Sequence, residues 1–313
     1  MTIIRSLRSP GNNSKKETIP MLSSREILTA LETGCIYALV ALALFLSFRI
    51  LNIADMTTNG AFTLGAAVAA TLALRGHPFL AFPAAMLSGA AAGFITAALQ
   101  TKFSIPSILA GIITDTGLYT VNLAVMGFSS NVSLVKKTET IFTMLKPYLG
   151  TYYRLIPSAV ITLAMVGFVI LFLNTRLGLS IRATGDNPDM VRASSINTSY
   201  TITIGLCIAN ACTSLSGAVL AQYQKTADIN LGSGMVIIGL ASLIIGQTLL
   251  PKGKIWLEAL SVVVGSVVYR FIMAFAMRMD LPSECLKLIS AIIVALAIGL
   301  PAIKVRKGGK AKC

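Results

Sequence analysis

Charge is scarce in this chain, and acidic charge is scarcer than basic. Only 12% of the 313 residues are charged, with 26 Lys and Arg against 12 Asp and Glu. Soluble domains average about 25% charged residues, so an ordinary water-soluble fold is excluded. There is a single histidine, His77, at a loop, and it stands in no cluster of Cys or carboxylates. The five cysteines (Cys35, Cys207, Cys212, Cys285 and Cys313) form no C-x-x-C pair, which argues against a disulfide framework and a zinc site. No G-x-x-x-x-G-K-[ST] loop occurs, because Gly253-Lys254 and Gly309-Lys310 lack the rest of the motif. ATP is therefore not bound by that route. No H-E-x-x-H, G-x-S-x-G or deaminase-like cluster is present, and no nucleophile–base pair stands out. Neither an enzyme nor a metal or other cofactor is expected. Residues 1–20 are polar and have no apolar core, unlike a cleavable signal peptide.

What is abundant is apolar. Hydrophobic residues make up 55% of the chain and the mean hydropathy is +0.79. Several runs reach the roughly 20 residues that cross a bilayer. The expectation is an all-α polytopic membrane protein with nine spans, about 27–48, 58–75, 79–99, 105–127, 155–173, 200–222, 234–250, 255–277 and 282–300. A polar basic segment, 1–26, precedes a membrane domain, 27–302, and a basic tail, 303–313, follows it. The net charge of +14 is scattered over loops and tails. The cluster Lys304, Arg306, Lys307, Lys310 and Lys312 directly follows a span and reads as a cytoplasmic anchor on anionic lipid, not a nucleic-acid surface. With the tail inside, counting back puts 251–254, 174–198, 100–102 and 49–57 inside and the long loop 128–154 outside. An odd number of spans then leaves the N-terminus outside, against its own Arg5, Arg8, Lys15, Lys16 and Arg25.

Two segments resemble each other: Ala54-Asp-Met-Thr-Thr-Asn-Gly-Ala-Phe-Thr-Leu-Gly65 and Ala227-Asp-Ile-Asn-Leu-Gly-Ser-Gly-Met-Val-Ile-Ile-Gly239. Each has Ala-Asp, a polar stretch with Gly, then an apolar helix with a further Gly. In this topology the two helices run in opposite senses, as in inverted-repeat transporters whose path lies between the halves. Asp55 and Asp228 then flank the broken ends of helices, where a carboxylate either caps the dipole or marks a site. Asp115, with Asn122 and Thr114, lies inside a span, and Glu258 and Arg270 lie in another. Polar groups at membrane depth face protein or water, so Asp55, Asn59, Asp115, Asn122, Asp228 and Asn230 are the candidate path residues. For Asp115 an interhelical hydrogen bond is the plain alternative.

A polar hairpin, 174–198, interrupts the apolar pattern with three arginines (176, 182, 192) and two aspartates (186, 189). Gly185-Asp186-Asn187 offers a turn and a helix cap, Pro188 suits a first helical residue, and Asp189 complements the dipole. A short capped amphipathic helix between spans is placed to touch something outside the membrane.

The run Gly185-Asp-Asn-Pro-Asp-Met-Val-Arg-Ala-Ser-Ser-Ile-Asn197, followed by Ser214-Leu-Ser-Gly-Ala218, resembles the permeases of bacterial ABC importers of the branched-chain amino acid and ribose type. Leu51-Asn-Ile-Ala-Asp55 with Gly60 and Gly65, and the turn Lys252-Gly-Lys254, are similar to that family's other signatures. Ser195 stands where Gly is usual, and Pro251 interrupts the turn. The resemblance implies a bacterial inner-membrane permease for a small polar solute such as an amino acid. It also implies a second permease subunit (identical or not), cytoplasmic ABC ATPases and an extracytoplasmic binding protein or lipoprotein. It assigns ATPase coupling to Arg182, Gly185, Asp186, Asn187, Pro188, Asp189, Met190, Arg192, Ser195, Ile196 and Asn197. The rival readings are an ion-coupled carrier using Asp55, Asp115 and Asp228, and the permease of an ABC exporter.

Overall fold

The computed structural model describes residues 23–134, 138–250 and 253–277, with single positions at 288, 292 and 295. These form an almost wholly α-helical bundle. Helix α1 (Ser24–Leu44) runs on into a π-helical turn, Phe45–Ile50. It is followed by α2 (Thr58–Leu74), α3 (Ala81–Thr101), α4 (Ser107–Val125), α5 (Ile141–Leu149) and α6 (Leu155–Leu173). Then come α7 (Arg176–Asp186), α8 (Pro188–Ala193), α9 (Thr198–Gln224), α10 (Met235–Leu249) and α11 (Ile255–Met277). Among the described residues the strands are those of a short antiparallel ribbon, β1 (Asn131–Ser133) with β2 (Thr226–Asp228), in the register Val132 to Ala227. The expected span 282–300 and the tail 303–313 lie outside the described residues.

Among the described residues, six helical stretches are long and apolar enough to cross a membrane: 24–50, 81–101, 107–125, 155–173, 198–224 and 255–277. Helices α2 and α10 are apolar but shorter, 17 and 15 residues. At 1.5 Å per residue they rise only about 25 and 22 Å, short of the roughly 30 Å of a hydrocarbon core. Each is reached through non-helical chain packed inside the bundle, so the expected full spans 58–75 and 234–250 are partial helices.

Helix α9 is the axis, buried along most of its length against α1, α2 and α3. Hydroxyls tie helices together through backbone carbonyls. Ser216 donates to Ile36 (2.7 Å), Thr162 to Cys35 (2.8 Å) and Ser266 to Gly34 (2.8 Å). Such bonds average about 0.6 kcal/mol in membranes, so close packing carries more of the association. Along α9, glycine lets backbones meet: Gly65 of α2 lies on the Ser214 carbonyl, Gly217 under that of Phe62, and Gly89 and Gly93 of α3 on those of Asn210 and Leu206.

Helix directions follow from these contacts. Helix α11 is antiparallel to α1, since Ser266 meets Gly34 while Glu258 meets Arg49 (4.0 Å). Helix α10 is antiparallel to α11, with Gly246 on Ser261 and Gly265 on Ser242. Helix α9 is antiparallel to α1, as Tyr223 donates to Glu32 (2.8 Å) near the start of α1 and Ser216 reaches Ile36. Helix α2 runs with α9, from Asp55 beside Asn210 to Ala69 beside Ala218. Hence α2 and α10 run in opposite senses.

Candidate functional site

The chain leaves the π-helical turn at Ile50, stays non-helical to Met56, and starts α2 at Thr58. Asp55 is buried. One carboxylate oxygen accepts from the Thr57 N–H (2.9 Å), holding the turn that leads into α2, and the other accepts from Asn210 Nδ2 (2.7 Å). Asn210 is halfway along the 27-residue α9, so α2 begins deep in the bundle and not at its end. From the opposite end, β2 leads through Ile229–Ser233 to Gly234, whose φ of +87° turns the chain into α10. Asp228 lies in β2, seven residues before α10, and accepts from the Asn230 N–H (2.8 Å).

The two helix starts meet. Asn59 Oδ1, in the first turn of α2, accepts from the Val236 N–H in the first turn of α10 (3.3 Å). Thr63 Oγ1 accepts from the Gly232 N–H (3.0 Å), and Gly232 rests on the Asn59 carbonyl, an approach that a side chain would block. Orphan N–H groups at a buried helix start need such partners. Beside this junction α4 closes a cavity of about 330 Å³. Of the candidate path residues, Asn59, Asp115, Asn122 and Asn230 line it. Asp55 sits behind α2 in its own hydrogen bonds, and Asp228 stays on the ribbon. Thr63, Thr116, Tyr119 and Ser233 also line the cavity and were missed. Thr63 and Tyr119 lie four residues beyond Asn59 and Asp115, a spacing that shares a helix face.

At the other end of α1 the polar hairpin forms two helices where the sequence suggested one. Thr175 Oγ1 accepts from the Gly178 N–H (3.2 Å) and starts α7. Asn187 Oδ1 accepts from the N–H groups of Asp189 (3.1 Å) and Met190 (3.0 Å), with Pro188 first in α8. Asn197 caps α9 in the same way, through Ser199 (3.0 Å) and Tyr200 (3.3 Å). Met190 is 68% exposed and Ile196 37%, while Val191 is buried beneath them. Arg192 bonds Thr198 (3.1 Å) and pairs with Asp189 (3.7 Å). Ser195 adopts φ +61°, a left-handed conformation that glycine takes more readily. Gly185 packs against the Ile50 carbonyl, joining the hairpin to the π-helical turn. Arg182 and Asp186 share a small cleft with Arg49 and Glu258.

Residues 26–298 match the family described as "Branched-chain amino acid transport system / permease component". The chain belongs to this family. It is 33% identical over 284 residues to the tyrosine transport system permease protein of Clostridioides difficile (strain R20291), covering 90% of this chain and 94% of that protein. It is 31% identical over 279 residues to an uncharacterized protein of Rickettsia prowazekii (strain Madrid E), covering 87% and 96%. The ribose import permease of Haemophilus influenzae is 22% identical over 283 residues, covering 87% and 83%. The protein is thus the permease component of an ABC importer, a multi-pass protein of the bacterial inner membrane. Membership implies a separate ATPase subunit and a substrate-binding partner. The match spans both the cavity and the hairpin.

Proposed function

We propose that the solute crosses this permease through the cavity where α2 and α10 begin, and that this small polar solute is an amino acid. The observation that carries this reading is the meeting of two oppositely directed, shortened helices around a polar, Asp-containing cavity. Irregular backbone at membrane depth is tolerated where it lines such a path, and inverted repeats put the path between them. The relative named for tyrosine transport supports an amino-acid solute. The hairpin is the cytoplasmic surface for the ATPase: Met190 and Ile196 enter its groove, with Asp186, Asp189, Arg182 and Arg192 as a polar rim. Gly185 then passes the movement to Ile50 and on to the 51–57 segment. The loop 128–154 faces outside. A second permease subunit completes the path, with the ninth span following α11.

Uptake by the reconstituted permease with its ATPase and binding protein tests both parts. Met190→Glu is expected to abolish ATPase pull-down and uptake while the permease still inserts. Uptake is expected to survive collapse of the proton gradient and to stop when ATP is removed. Full transport by Met190→Glu would sink the docking assignment. Flux down an imposed ion gradient without ATPase would favour a carrier.

A further inference from the structure

Two acceptors on one face of α4 set this cavity's demand for a charged donor. Among the described residues, half-buried Asp115 is the one charged residue of its lining, with no Lys, Arg or His beside it. The ion pairs found among the described residues are Arg49–Glu258 and Arg192–Asp189, neither of which involves Asp115. Its Oδ1 lies against Gly60, in the first turn of α2, 2.7 Å from where a Cβ on that glycine would stand. Two turns along α4, Asn122 is 2% exposed and donates Nδ2 to the Gly60 carbonyl (3.2 Å). That bond fixes the amide's orientation and leaves Oδ1 fully buried without a partner. Both side chains therefore converge on Gly60 from one face of α4. The neighbouring acceptors are already used, Asn59 Oδ1 by Val236 and Thr63 Oγ1 by Gly232.

What the site lacks is a donor with positive charge. A buried acceptor without a partner costs its full desolvation, and an unpaired carboxylate at membrane depth costs more. A primary ammonium offers three donors, no acceptor and the matching charge. A sugar brings acceptors as well and no charge, and a solute carrying only a carboxylate would bring like charge to Asp115.

We infer that this cavity recognises the primary ammonium group of its solute, shared between the Asp115 carboxylate and Asn122 Oδ1. This rests on the cavity being the path, and it adds which end of an amino acid the permease reads.

The test uses the permease–ATPase complex with its native cysteines replaced by alanine and a Tyr119→Cys substitution in the cavity wall. Three phenols serve as probes: tyramine (ammonium), 4-ethylphenol (neutral) and 3-(4-hydroxyphenyl)propanoate (anion). A charge-assisted hydrogen bond supplies at least about a tenfold gain in affinity, so tyramine at about ten times its half-protecting concentration is expected to slow labelling by N-ethylmaleimide about tenfold, and the other two at the same concentration at most about twofold. Adding Asp115→Asn, the same size but uncharged, should remove the protection. Adding Asp115→Glu should keep part of it. Equal protection by all three phenols, no protection by tyramine, or protection that survives Asp115→Asn would overturn the ammonium assignment alone, provided that labelling stops uptake. Labelling that leaves uptake intact, or a position that does not react, would overturn the path itself and the proposal with it.

Discussion

The two faces of α2 are built on opposite terms. One face lies against α9, where Gly65 meets the Ser214 carbonyl and the Phe62 carbonyl meets Gly217. Backbone rests on backbone there, and shape alone decides the fit. The other face carries Asn59, Gly60 and Thr63 toward α4 and α10, where hydrogen bonds decide. Small residues recur on both faces for different reasons. On the α9 side glycine removes an obstacle between helices, since lipid gives no hydrophobic drive for their association. On the cavity side, Gly60 leaves its carbonyl open to Asn122 and makes room for Asp115.

The largest effect is expected on the packed face. Gly217→Val would drive a branched side chain into the Phe62 carbonyl, and the rigid backbone cannot give way. Overpacking costs about 1–3 kcal/mol even where side chains relax, so here the cost should exceed that range. The expected outcome is little folded permease, read as the monodisperse fraction after detergent extraction. A normal yield and an unchanged melting temperature would mean that α2 and α9 are held apart by something other than backbone contact.

How much of this contrast the sequence carried differs between the faces. The helices were legible because apolar runs of bilayer length are local. The cap at Asn187 was legible because a side chain bonds its own next residues; the cap at Asn197 has the same local form and was overlooked. Asn59, Asp115, Asn122 and Asn230 stood out because polar residues are rare in such runs. The Asp55–Asn210 bond joins residues 155 apart in sequence, and no local pattern announces it. The β1–β2 pairing is hidden for the same reason. Helices apolar all round have no readable inner face, so neither the seam on α9 nor the depth at which α2 begins could be read. α7 was missed because its composition is that of a connector; the Thr175 cap and the seat of Gly185 on Ile50 supply what its propensity does not.

A smaller effect is expected at Gly60, on the cavity face. A Cβ there would stand 2.7 Å from Asp115 Oδ1 and 3.0 Å from Leu118. Both neighbours are side-chain atoms able to shift by a few tenths of an ångström. Gly60→Ala is therefore expected to leave the melting temperature within a few degrees of wild type, while uptake falls several-fold as Asp115 loses its seat. If stability collapses and residual uptake per folded molecule is normal, Gly60 belongs with the packing glycines and the contrast between the faces fails.

The smallest effect sharpens the comparison from a third direction. Gly117, also on α4, has nothing within 4 Å of the position a Cβ would take. Replacing a helical glycine by alanine stabilises the helix by at most about 0.5–1 kcal/mol, mainly by restricting the unfolded chain. Gly117→Ala should accordingly raise the melting temperature slightly or leave it unchanged, with normal uptake, if lipid meets that face of α4. The same face exposes Ile113 and Val121, apolar surface that a second permease subunit could cover as well as lipid. Should Gly117→Ala lower the melting temperature and uptake together, a helix from the partner subunit must approach there as closely as α9 approaches Gly65. Crosslinking through a Gly117→Cys substitution would report that contact directly. A stable, active, uncrosslinked pair of variants would instead leave this face of α4 to the lipid.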